Sequence, residues 1–143
     1  MASLAAQHNT SNEGRRVRLT KNDRLVLTAL EDASVPLKAY DLLERLKTQG
    51  IGAPMTVYRA LDRLQKQGLV HKLDGLGAFV VCKHGAPHEV EIFLICRKCE
   101  AVEEIKDSGE DLHDAADQAS EGYAFKPELI RMEVRGLCGD CNL

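Results

Sequence analysis

The feature that most constrains this chain is a duplicated cysteine spacing. Cys96-Arg-Lys-Cys99 and Cys138-Gly-Asp-Cys141 repeat one CxxC interval, with 38 residues between the two pairs. Four thiolates in two such pairs match a closed tetrahedral zinc site, and zinc brings no redox chemistry that would spoil a structural staple. The separation exceeds that of a compact zinc ribbon, so a shared ion would tie the end of the chain back to an earlier strand. A half-chain of about 60 residues buries little surface, and a metal staple makes up the deficit. The rival reading is a thiol-redox enzyme, but neither CxxC opens a helix after a parallel strand. Cys82, the fifth cysteine, needs an explanation of its own.

The net charge of −3 speaks against a nucleic-acid binder until its distribution is examined. Residues 1–72 hold 12 Lys and Arg against 7 Asp and Glu, whereas residues 73–143 hold 7 against 15. A basic half joined to an acidic half suggests one part that meets a polyanion and another with a different task. A hydrophobic fraction of 44% fits a soluble globular protein. No stretch approaches the roughly 18 apolar residues that span a bilayer, so no membrane partner is expected. The opening MASLAAQHNTSNEGRR lacks the order of a signal peptide and reads as a flexible lead-in, which makes a cytoplasmic location the expectation.

From Leu19 the apolar spacing becomes helical, with Thr20 as a cap and Leu25, Leu27, Thr28 and Leu30 as the buried face. A second helix is signalled by Ser34-Val-Pro-Leu and ends at Gly50, with Leu37, Tyr40, Leu43 and Leu46 as its apolar positions. Pro54 opens a third helix that stops at Gly68, with Val57, Leu61 and Leu64 as its core stripe. GLVHKL and AFVVC then read as a hairpin around DGLG. Beyond KHGAPH come a strand (EVEIFLICR), an acidic helix (SGEDLHDAADQASEGY) and a strand (ELIRMEVRGL). The expected architecture is α/β (α+β): a flexible segment 1–18, a winged helix-turn-helix over 19–83, and a small α/β unit over 84–143.

On the third helix Thr56, Arg59, Arg63 and Lys66 form a polar, mostly basic face, and Thr56, Tyr58, Arg59 and Arg63 are the candidate recognition residues. Arginine bonds guanine edges or grips phosphate, and tyrosine offers a ring and a hydroxyl. A solvated helix face explains many such stripes; the hairpin immediately downstream tips the balance towards DNA recognition.

TVYRALDRLQKQGLVHKL, a following strand that ends in Cys82, FLICRKC and GLCGDC together resemble the ferric uptake regulator family, and within it the zinc-uptake branch, from about Leu19 to Cys141. The resemblance implies a winged-helix domain, a C-terminal dimerisation domain, and metal-dependent binding of double-stranded operator DNA as a homodimer. It also implies a structural zinc at Cys96, Cys99, Cys138 and Cys141, with Tyr40, Tyr58 and Arg59 at the DNA. A second, regulatory zinc per subunit would fall on His71, Cys82, His88 and Glu104. Two imidazoles, a thiolate and a carboxylate suit tetrahedral zinc, and this set accounts for the odd cysteine.

Alternatives at that second site stay open: His84, Glu89 or Glu91 in place of His88, and Glu103 in place of Glu104. The iron-sensing branch places an HHxH run before its first CxxC, whereas this chain has Val90-Glu91-Ile92-Phe93. The resemblance therefore implies a zinc-responsive repressor of zinc-uptake genes, with an iron, manganese or peroxide sensor as the rival within the family. No phosphate loop, nucleophile elbow or acid/base pair is present, so neither an enzyme nor a small organic substrate is expected. His113 reads as a solvated residue. Glu44 and Lys47 read as a surface pair or as a link between neighbouring dimers.

Overall fold

The computed structural model describes residues 18–84, 89–106 and 110–143. All of the expected flexible segment except Arg18 lies outside these, as does His88. Three helices come first: α1 (Lys21–Glu31), α2 (Ala39–Leu46, extended by a 3-10 turn over Lys47–Gln49) and α3 (Pro54–Lys66). A hairpin follows, β1 (Val70–Leu73) and β2 (Ala78–Val81), paired antiparallel with Leu73 opposite Ala78. The remainder builds a second sheet from β3 (Val90–Cys96), β4 (Val102–Ile105) and β5 (Ile130–Gly136), with α4 (Glu110–Ser120) before β5. Its order is β4-β3-β5, β4 antiparallel and β5 parallel to β3. Among the described residues, no helix is long and apolar enough to cross a membrane.

Local chemistry sets the helix ends. Thr20 caps α1 by accepting from the Asp23 N–H at 3.1 Å, while Asp23 accepts from the Thr20 N–H at 3.0 Å, a reciprocal capping box. Pro54 stands in the first turn of α3, where its missing N–H costs nothing. Gly68 takes φ +72° just past that helix, a conformation with a steric penalty for any Cβ. The helix stripes then converge on one core of Val26, Leu30, Leu42, Leu43, Leu46, Ile51, Val57, Ala60, Leu61 and Leu64, closed by Val70 and Phe79 from the hairpin.

Three sequence expectations shift. In α1 the deepest positions are Val26 and Asp23, whereas Thr28 is exposed. The second helix begins at Ala39 rather than Ser34, because Leu37 is extended and exchanges backbone hydrogen bonds with Phe79 of β2. Tyr40 accordingly faces outward, 68% exposed. Strand β4 is an additional element, and it carries Glu104.

Asp23 is fully buried, and Arg63 of α3 reaches across to it with Nη2 at 2.7 Å and Nε at 3.0 Å from Oδ1. Burial alone would raise this carboxyl, but the hydrogen bonds from Arg63 and Thr20 outweigh it and hold the group below its usual 3.8. A carboxyl depressed in the folded state contributes stability above its unfolded value, and that contribution is lost as pH falls through the folded value. Arg63→Met should therefore cost about 3 kcal/mol near neutrality by leaving a buried charge uncompensated. Denaturation of both proteins between pH 7 and pH 3 should show the gap closing on acidification. A gap independent of pH would contradict the pairing.

Candidate metal centres

The sheet has two faces with different tasks. Phe93 and Ile95 of β3, Val102 and Glu104 of β4, and Arg131, Glu133 and Arg135 of β5 share one face by register. Phe93 and Ile95 pack there with Leu73, Leu76 and Val80 of the hairpin, so a second apolar cluster joins hairpin to sheet. The charged residues of β5 hold the same hairpin. Glu133 accepts from the Asp74 N–H at 2.7 Å and the Gly75 N–H at 2.9 Å, and Arg135 donates to the Gly75 carbonyl. The approach is close enough that a Cβ on Gly75 would lie 2.7 Å from Arg135 Nη2.

At one edge of this contact His71 of β1, Cys82 just past β2 and Glu104 of β4 meet. One ligand atom from each lies within 4.8 Å of the others, and all three side chains are buried. His71 Nε2 is 3.4 Å and Cys82 Sγ is 3.9 Å from Glu104 Oε1, while the Lys83 N–H donates to Oε2 at 3.0 Å. Gathering a buried carboxylate, a thiol and an imidazole nitrogen is costly in a low-dielectric interior, and a divalent cation relieves that cost. The donor set fits such an ion.

Of the alternatives left open by sequence, Glu103 is exposed and pairs with Lys83 at 3.2 Å, outside the cluster. Glu89 is exposed and lies 3.1 Å from His113, a half-buried residue with a partner rather than a freely solvated one. Glu91 approaches His71 from its other ring edge, with Oε1 3.3 Å from Nδ1. His84 is half-buried after β2.

Cys96, Cys99, Cys138 and Cys141 form the other cluster, their sulfurs within 4.8 Å of one another. Residue Cys96 ends β3, Cys99 follows in the turn, and β5 delivers the second pair alongside because it runs parallel to β3. Backbone N–H groups of Cys138, Cys99 and Lys98 aimed at the Cys96 sulfur pull its thiol down to about 6. The neighbouring Cys138 sulfur, by contrast, pushes Cys141 up to about 12. Four crowded thiols resist joint ionisation on their own, and a thiophilic dication removes that conflict.

The candidate DNA residues sit on α2 and α3. Tyr58 is 53% exposed and Arg59 is exposed on α3, beside half-buried Thr56, and Tyr40 projects from α2. Arg63 is committed to Asp23 through two of its nitrogens. Glu44 and Lys47 form a local pair at 2.6 Å on the exposed face of the second helix.

The sequence model of the Ferric uptake regulator family matches residues 14–135. This chain belongs to the ferric uptake regulator family. The zinc uptake regulation protein of Escherichia coli strain K12 is 38% identical, covering 96% of this chain and 81% of its own length. Among solved structures, holo XcZur superposes with a TM-score of 0.79 at 39% identity, covering 90% of this chain and 89% of its own. A zinc uptake regulator complexed with zinc and DNA superposes with a TM-score of 0.74 at 34% identity, covering 87% and 83% of the two chains. The α/β (α+β) architecture is that of these regulators, a winged-helix part followed by a small mixed sheet.

Sequence reading did not single out Arg131, Glu133 and Arg135 as contacts, although Ile130-Arg-Met-Glu-Val-Arg alternates strictly. That alternation marks a strand without telling which face meets the hairpin. Glu133→Ala should release the Asp74 and Gly75 amides. Hydrogen exchange at those two positions should accelerate at least about tenfold, with helix-core amides such as that of Leu64 unchanged. Unaltered exchange at Asp74 and Gly75 would show that the hairpin does not rest on β5.

Proposed function

We propose that this protein is a zinc-responsive transcription regulator that binds operator DNA when zinc-loaded and represses zinc-uptake genes. The observation that carries this reading is the placement of the His71–Cys82–Glu104 cluster. Two of its side chains belong to the hairpin of the winged helix and one to the following sheet. A ligand set divided in this way converts ion occupancy into domain orientation. The reading divides the chain into a DNA-binding part over 19–83 and a dimerisation part over 84–143.

In this reading His71, Cys82 and Glu104 hold a regulatory zinc, with a fourth donor from His88, while the four cysteines hold a structural one. Bound zinc supplies charge compensation and directional bonds between hairpin and sheet. The chain's own residues do the rest. With the cluster closed, α3 is held at a fixed angle to the sheet, and Thr56, Tyr58 and Arg59 meet the major groove together. Tyr40, exposed on α2, is a further contact to the DNA in this reading. With the cluster open, the hairpin keeps only its contacts with β5 and the small apolar patch, and the population moves to orientations that do not fit DNA.

A homodimer places two such surfaces on one operator. Supporting it, the sheet face away from the hairpin presents Leu94, Ile105, Met132 and Val134, all of them partly uncovered. A contiguous apolar face of this kind is suited to a second copy of the chain. The His, Cys and Glu donors, together with Val90-Glu91-Ile92-Phe93 where an iron sensor has its histidine run, favour zinc over iron or manganese.

Zinc stoichiometry, dimer mass and operator affinity across a buffered free-zinc series test this reading. Wild type should hold two zinc ions per chain and bind the operator only when both are present. Cys82→Ser should stay dimeric with one zinc and lose zinc-stimulated binding. Cys138→Ser should lose stability and the dimer, because metal binding there is part of folding. Arg59→Ala should keep its zinc and lose about 1–3 kcal/mol of operator binding. A Cys82→Ser protein with unaltered zinc dependence would overturn the assignment.

A further inference from the structure

One carboxylate beside the candidate regulatory site is held where it cannot share an ion with Nε2 of His71. Glu91 of β3 is buried and stands opposite Arg131 of β5 in the parallel register. Arg131 grips its Oε2 with Nη2 at 2.6 Å and Nε at 2.7 Å. That grip leaves the other carboxylate oxygen, Oε1, 3.3 Å from Nδ1 of His71. The remaining Nη1 of Arg131 donates to the Lys72 carbonyl at 3.0 Å, one residue along the strand that carries His71. Phe93 completes the enclosure, its ring packed edge-on against the imidazole with centroids 5.3 Å apart and its face 6.0 Å from the Arg131 guanidinium carbon.

The two ring nitrogens of His71 thus face different groups. Nδ1 meets Glu91, and Nε2 meets Glu104 at 3.4 Å on the side of Cys82. Both edges face a carboxylate oxygen, but Glu104 shares its oxygen with the Cys82 thiol inside the ligand cluster. Glu91 is turned onto Nδ1 by Arg131 outside that cluster, so Nδ1 is the atom that carries hydrogen when Nε2 serves the cluster. The neutral ring then keeps its lone pair on Nε2, aimed at the other two donors. We propose that Glu91, clamped by Arg131, is a positioning residue that selects the metal-binding tautomer of His71 and fixes the plane of its ring. This rests on the reading of His71, Cys82 and Glu104 as a zinc centre. It separates Glu91 from the ligands, because the edge of the ring it touches is not the edge that meets Glu104. Since Arg131 also holds the Lys72 carbonyl, the clamp fixes the strand and the ring as one unit.

The test uses the full-length protein with the four-cysteine zinc retained and the second site stripped. Nitrogen-15 NMR of the His71 ring should report the Nδ1–H tautomer in wild type and a mixture with the Nε2–H form in Glu91→Ala. Competition of zinc against a chromophoric chelator should show second-site affinity about 10–100-fold weaker in Glu91→Ala. Glu91→Gln, whose amide oxygen still accepts, should fall between the two, and Arg131→Met should also weaken zinc. One retained zinc per chain confirms the fold of each variant.

Unchanged tautomer and affinity in Glu91→Ala would overturn the proposal. So would an affinity loss in Glu91→Gln equal to that in Glu91→Ala with the tautomer unmoved, because a direct ligand behaves in that way. If wild type takes up no more zinc than Cys82→Ser, the metal-centre reading itself fails. The tautomer measurement still decides whether Glu91 sets the ring.

Discussion

The structure depends on one junction, the contact between the β1–β2 hairpin and the inward face of the β4-β3-β5 sheet. The apolar part of that contact is small: Leu73, Phe93 and Ile95 with Leu76, Val80 and Val102 around them. A cluster of so few side chains leaves relative motion of the two parts as the default unless other contacts restrain it. Polar groups carry the remainder, with Glu133 and Arg135 on the turn at Asp74 and Gly75, Arg131 on the Lys72 carbonyl, and Glu104 against His71 and Cys82. Such contacts are directional and weak in net terms, which makes the junction a place where one added ion changes the balance.

The two cysteine-bearing clusters divide the work. The four-cysteine cluster lies at the C-terminal ends of β3 and β5 and joins β3 to the last residues of the chain. Its backbone N–H groups favour a thiolate at Cys96, the form in which cysteine takes a metal. The buried His71–Cys82–Glu104 cluster spans the junction instead. In the proposed reading, an ion in the first would belong to the fold, and an ion in the second would set how the hairpin sits on the sheet.

Much of this was legible in the sequence because its causes are local. Thr20, Pro54, Gly68 and the twin CxxC pairs act within a few residues of themselves, and they mark helix ends and ligand spacing directly. Features set by distant partners were not. Asp23 gives no local sign of burial, which follows only from Arg63, 40 residues away. Leu37 reads as helical until β2 offers Phe79 as a strand partner. Strand β4, four residues with two adjacent glutamates, is too short and too charged to announce itself. In β5 the alternation was plain, but both faces are used, so the pattern did not say that its charged side is the inner one.

The central claim is that ion occupancy of the hairpin–sheet cluster fixes the direction of α3. Nitroxides attached through a non-cysteine side chain at exposed Lys66 of each protomer give the α3-to-α3 distance in the proposed dimer by double electron–electron resonance. The measurement is made with the second site stripped and then zinc-filled, the four-cysteine zinc being present throughout. The account predicts a broad distribution that collapses to one narrow peak on zinc addition, with no collapse in Cys82→Ser. The same distribution in both states of wild type would contradict it.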